Sequence, residues 1–326
     1  MTIVTRLIYN VALLFIMMIP GVLMKKCRLS SDSFGKGISN LVLYIAQPAL
    51  TFVAYLRPYD EKILINSAYV FLFSILLHGI FAVVATNFFK KAPNAMQRML
   101  RFATVFSNVA FMGIPLIAAV LEPDYPGSTV YALIYSITFN VFLWSLGVKF
   151  CTDGRDTNEN YIDDYNETKK KVFPWKALVH PTTIASAIGL IFFILPIESY
   201  VPDLVEEAFV MLKNLVAPLS MLVIGLRLPD MSFKGLFKDT QMYIFILLRH
   251  IALPLLSLGL LKLAGLFLSI DPAVEMVIVI LAAAPAATSA TMFAEKYDCD
   301  SVYVSRLVTV STLLSIITIP LILLLI

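Results

Sequence analysis

The run Phe106-Ser107-Asn108-Val109-Ala110-Phe111-Met112-Gly113-Ile114-Pro115-Leu116 is apolar, rich in small residues and interrupted by a proline. It lies inside a longer apolar segment, Met99–Leu121. A bilayer core of roughly 30 Å takes about 20 residues of helix, so a segment of this length reads as a membrane span. An interior proline costs about 3 kcal/mol in a soluble helix, and in a membrane its freed backbone groups must be satisfied by neighbours. Here it marks a purposeful break. A second run of the same kind, Ala282-Ala283-Ala284-Pro285-Ala286-Ala287-Thr288-Ser289-Ala290, carries its proline 170 residues further on. The same offset relates Pro48 to Pro218, Leu56-Arg57 to Leu226-Arg227 and Asp60 to Asp230. A constant offset over several features is the mark of an internal repeat.

Outward from these runs, the 326-residue chain is 59% hydrophobic and 14% charged, with a mean hydropathy of +0.85. That balance excludes a soluble globular domain. Apolar segments recur at Leu7–Met24, Phe34–Leu56, Ile63–Phe89, Met99–Leu121, Thr129–Phe150, Ala177–Ile197, Ala208–Leu228, Gln241–Leu268, Val274–Ala294 and Val302–Ile326. They lack the alternating ten-residue pattern of a barrel strand, so the predicted fold is an all-α integral membrane protein with ten transmembrane helices. Leu7–Met24 ends in Lys25, Lys26 and Arg28 rather than in a cleavage site and reads as the first span, not as a signal peptide.

Lys and Arg fall in alternate loops: after the first, third, fifth and seventh spans, while the intervening loops carry Glu122 and Asp124, Glu198 to Glu207, and Asp271 and Glu275. Positive loops stay inside, so the chain is expected to be a multi-pass protein of the cytoplasmic membrane with both termini outside. The one long hydrophilic stretch, Thr152–Pro174, is expected to be a cytoplasmic linker between a first five-helix repeat (1–151) and a second (175–326). Five is odd, so the second repeat enters the membrane inverted, with broken helices four and nine in equivalent places.

Broken helices expose N–H groups at the start of their second halves, and these positive dipole ends attract an anion. Ser107 and Asn108 precede one break, while Thr288, Ser289 and Thr291 follow the other; all are neutral hydrogen-bonding groups. The acidic residues all fall near the predicted span ends, which disfavours a proton relay through carboxylates. A sodium site built from carbonyls and hydroxyls needs no acid and stays open.

Asn108 to Leu116, together with Ala283–Tyr297, Gln47-Pro48, Ala217-Pro218-Leu219-Ser220 and Ser311-Thr312-Leu313-Leu314-Ser315, resembles the auxin efflux carrier family, which includes plant auxin exporters and bacterial permeases for malate and malonate. The resemblance spans essentially the whole chain. It implies a scaffold domain and a transport domain, crossing broken helices four and nine, elevator-type motion, and a homodimer through the scaffold. It also implies that Asn108 and the Gly113-Ile114-Pro115 crossover bind substrate and that Ala284-Pro285 marks the second crossover. The linker is much shorter than the regulatory loop of the plant exporters, so kinase control does not carry over.

Gln47 beside Pro48 either contacts substrate or satisfies a loosened carbonyl. Arg249 either contacts substrate, snorkels to an interface or packs in the scaffold, and His78 and His250 read first as packing residues. The candidate substrate-binding set is therefore Asn108, Gly113, Ile114, Pro115, Gln47, Ala284, Pro285, Thr288, Ser289 and Arg249. The cysteines Cys27, Cys151 and Cys299 are widely spaced and no histidine cluster exists, so neither a metal nor a cofactor is expected. No phosphate-binding glycine loop is present, and no nucleophile-and-base pair or central pair of carboxylates suggests an enzyme. The expected partners are the lipid bilayer and a small organic anion, a dicarboxylate or auxin-like acid, with no nucleic acid. The expected function is secondary transport of that anion; the competing function is sodium-coupled symport of the bile-acid type.

Overall fold

The computed structural model describes residues 3–90, 92, 94–153, 181–195, 200–230 and 239–326. These residues are helical throughout, with no strand and a single isolated backbone bridge among them. The helices are α1 (Ile3–Lys26), α2 (Ser33–Tyr55), α3 (Glu61–Phe88), α4 (Asn94–Val105), α5 (Val109–Val120) and α6 (Ser128–Thr152). They continue as α7 (Pro181–Ile194), α8 (Asp203–Arg227), α9 (Thr240–Gly265), α10 (Pro272–Ala283), α11 (Ser289–Lys296) and α12 (Ser301–Leu323). Seven of them, α1, α2, α3, α6, α8, α9 and α12, are long and apolar enough to cross a membrane.

The expected spans Met99–Leu121 and Val274–Ala294 are not single rods: each is two short helices, α4 with α5 and α10 with α11, separated by a few extended residues. The sixth expected span appears as α7, and its start at Ala177 lies outside the described residues, as does the linker from residue 154 onward. Large apolar side chains such as Ile16, Leu72, Val83 and Ile317 are exposed on the outside, the surface that hydrocarbon covers.

Helix starts are capped by aspartates. Asp60, Asp239, Asp271 and Asp300 each accept a backbone N–H from their own first turn, at 2.8 to 2.9 Å. Four helices contain a wide π turn: Val42–Ala46, Val109–Gly113, Leu143–Gly147 and Leu248–Ala252. Three of these end two residues before a proline, Pro48, Pro115 and Pro254. A proline ring collides with the carbonyl four residues back, and widening the preceding turn relieves that collision without stopping the helix.

Two close helix pairs stand out. Gly21 of α1 and Gly225 of α8 bring backbones into contact: a Cβ on Gly225 would lie 2.1 Å from the Met18 carbonyl oxygen. Gly189 of α7 sits under the Tyr55 ring of α2, where a Cβ would lie 2.7 Å from Cδ2. Small residues at such positions are what lets membrane helices pack without a hydrophobic driving force between them.

Candidate functional site

α4 stops at Val105 and α10 at Ala283, and the extended residues that follow pair with each other. Asn108 N–H donates to the Pro285 carbonyl at 2.7 Å, and Ala287 N–H donates to the Phe106 carbonyl at 2.9 Å, flanking an antiparallel bridge between Ser107 and Ala286. Each break thereby satisfies backbone groups that the other has freed. The Asn108 carbonyl accepts from the N–H groups of Met112 and Gly113, which starts α5.

α12 and α9 pin the second break from behind. Ala286 N–H donates to the Ser311 hydroxyl oxygen at 2.9 Å, Ser311 is 2.9 Å from His250 Nε2, and His250 Nδ1 is 3.0 Å from the Thr318 hydroxyl. All fit a neutral imidazole with its proton on Nδ1: Ser311 donates to Nε2, and Nδ1–H donates to Thr318, which donates to the Leu314 carbonyl. Ser311→Ala leaves the Ala286 N–H buried without an acceptor, an expected loss of about 1–2 kcal/mol. Thermal unfolding of the purified protein checks it, and stability equal to the parent would show that the break does not depend on Ser311.

Asn108 is 2% exposed, and its side-chain Nδ2 is buried with no hydrogen-bond partner. Among the candidates it carries the buried side-chain nitrogen left without a partner at the paired breaks. Among the described residues, no backbone carbonyl takes the N–H groups of Ala110 and Phe111, in the first turn of α5, or of Thr288 and Ser289, at the start of α11. Thr288 is buried and Ser289 partly so. The Thr288 carbonyl accepts from Arg227 of α8, which also donates to the Thr291 hydroxyl.

The other candidates divide. Ala284 and Pro285 lie in the second break itself. Gly113, Ile114 and Pro115 do not lie in the first: the chain breaks at residues 106–108, and these three sit up to two turns further along, in and after the π turn. Gly113 faces Leu281, whose Cδ2 would be 2.5 Å from an added Cβ, which is a packing role. Gln47 donates from Nε2 to the Ala110 carbonyl at 2.7 Å. In the π register Ala110 is the acceptor that a donor at position 115 would have used, so Gln47 supplies the hydrogen bond that Pro115 cannot.

Arg249 does not snorkel. It is fully buried, and its guanidinium donates to the Ala284 carbonyl from Nε (3.0 Å) and Nη2 (2.7 Å), to Ala282 from Nη2 (2.9 Å) and to Thr104 from Nη1 (3.0 Å). His78 packs among the rings of Phe106, Tyr135, Phe139 and Phe142, with Nδ1 donating to the Ser74 carbonyl at 2.7 Å. Sequence reasoning gave Ser311 and Thr104 no role at the break. The hydroxyl-rich run from Ser311 to Ser315 marks the helix but not which hydroxyl meets the break, and Thr104 acts through its backbone, which has no sequence signature.

Long apolar helices around two mutually paired helix breaks, with polar side chains turned inward, describe a multi-pass membrane protein. Residues 6–323 match the family model described as membrane transport protein, and the chain belongs to that family, the auxin efflux carrier family. Comparison with curated proteins finds no match to the chain.

Proposed function

We propose that the protein is a secondary carrier of small organic carboxylates in the cytoplasmic membrane, with its anion site at the paired breaks. The observation that carries this reading is the buried, unpartnered amide of Asn108 beside the open N–H groups that begin α5. An NH₂ and helix-start N–H groups are donors suited to a carboxylate, and a positive dipole end adds to the attraction. Thr288 and Ser289 would serve the other side of the anion. Gly113, Ile114 and Pro115 shape α5 in this reading, and Gln47 steadies it.

The wider architecture proposed is ten spans in two inverted repeats, residues 1–151 and 175–326, joined by the linker 152–174. The close glycine contacts group α1 with α8 and α2 with α7, whereas the break is built by α4, α5, α10 and α11 and backed by α9 and α12, with Gln47 of α2 and Arg227 of α8 reaching it from the first group. That division suits an elevator in which the second group moves against the first. The Gln47 bond to Ala110 and the Arg227 bonds to Thr288 and Thr291 link the two groups and would have to be remade in each cycle.

A thermal-shift screen of the purified protein against organic acids tests the reading. Mono- or dicarboxylates should stabilise it, and Asn108→Ala should weaken that stabilisation by about 1–2 kcal/mol in binding, roughly ten-fold in affinity, with folding intact. Wild-type affinity in Asn108→Ala would remove Asn108 from the site.

A further inference from the structure

Arg249 is the largest fully buried side chain, and its charge has no acidic partner: among the described residues none of the buried polar groups is a carboxylate. Its four hydrogen bonds all go to backbone carbonyls. Thr104 and Ala282 are in the last turns of α4 and α10, and Ala284 follows α10 directly. The last carbonyls of a helix lack intrahelical donors and form the negative end of its dipole, so two such ends converge on one guanidinium. A desolvated cation held only by carbonyl oxygens at the ends of interrupted helices is how membrane carriers hold a coupling sodium ion.

We propose that Arg249 is a tethered cation that fills the oxygen cage a coupling sodium ion would otherwise need, so that the carrier works without sodium. The π turn Leu248–Ala252 makes this arrangement reachable, because it lets two consecutive residues face the break: Arg249 reaches the carbonyls while His250 holds Ser311. With the guanidinium seated on the Ala282 and Ala284 oxygens, its volume and positive charge keep a free cation from the same place. The fixed charge also stays beside the break when substrate leaves. Arg249 is thus a positioning residue, not a substrate contact.

The inference rests on the carrier reading, but its test does not use a substrate. Thermal unfolding of the purified full chain is measured in sodium, potassium and choline chloride for the parent, Arg249→Lys, Arg249→Gln and Arg249→Ala, the last also with methylguanidinium chloride. The parent should melt at the same temperature in all three salts. Arg249→Lys, which keeps the charge, should melt several degrees above Arg249→Gln, which keeps hydrogen-bonding capacity but loses it. Arg249→Ala should be raised by methylguanidinium and by sodium more than by choline, as the emptied cage takes a free cation. Specific stabilisation of the parent by sodium would overturn the proposal, as would Arg249→Gln melting with or above Arg249→Lys, or a folded Arg249→Ala that ignores every added cation. Should Arg249→Ala fail to fold, the parent salt series and the Lys and Gln pair still decide. Failure of the acid screen would sink the anion site and leave these readings standing.

Discussion

Gly225→Leu is expected to cost more than about 3 kcal/mol and to leave little folded protein, because the new side chain would have to enter a space already held by backbone. Overpacking usually costs about 1–3 kcal/mol when neighbouring side chains can rotate away. Here the first atom met is the Met18 carbonyl oxygen, and the Gly21 Cα lies 3.2 Å from the same Cβ position. Neither can move unless α1 separates from α8. Gly259, in α9, is the control: an added Cβ there meets nothing within 4 Å. Gly259→Ala should be neutral or gain up to about 1 kcal/mol, since alanine is the better helix former. Melting curves in detergent for the two variants decide the matter. A Gly225→Leu protein that melts with the parent would mean that α1 and α8 do not touch as described.

The apolar segments were legible because a membrane span writes its length into the sequence, and seven of the ten expected segments are single long helices. The existence of the two breaks was legible as well, through proline and small residues. The place of the first was not. Pro285 stands in its break, but Pro115 lies well beyond residues 106–108, since a π turn and the Gln47 amide absorb its missing hydrogen bond locally. What opens the chain at Phe106 to Asn108 is pairing with residues 285 to 287, a contact across nearly 180 positions that no local pattern reports. The acceptors of Arg249 were not legible, for a related reason. A lone arginine in an apolar helix suggests snorkelling when no acid is in reach, and its real acceptors are carbonyls, which every residue owns. The free donor of Asn108, by contrast, belongs to the side chain itself and is visible in the sequence.

Transport of a monovalent carboxylate is expected to follow the membrane potential with no added ion. A carrier that moved its anion with a proton would need a titratable group free to exchange it near the site; among the described residues no aspartate or glutamate is buried, and the ring nitrogens of His250 at the break are both engaged, by Ser311 and Thr318. Arg249 does not alter the count, since a tethered charge that crosses with the substrate returns with the empty protein, so each cycle moves only the charge of the substrate. Moving one charge through 100 mV is worth about 2.3 kcal/mol, enough for roughly a fifty-fold gradient at equilibrium. Proteoliposomes loaded with an acid that stabilises the protein, and clamped at set potentials with potassium and valinomycin, give the measurement. Efflux of the anion should rise when the inside is made negative and slow when it is made positive, equally in sodium and in choline. Flux that ignores the imposed potential, or that stops when sodium is withdrawn, would show that a second ion moves with each anion and that the charge carried per cycle is not the charge of the substrate alone.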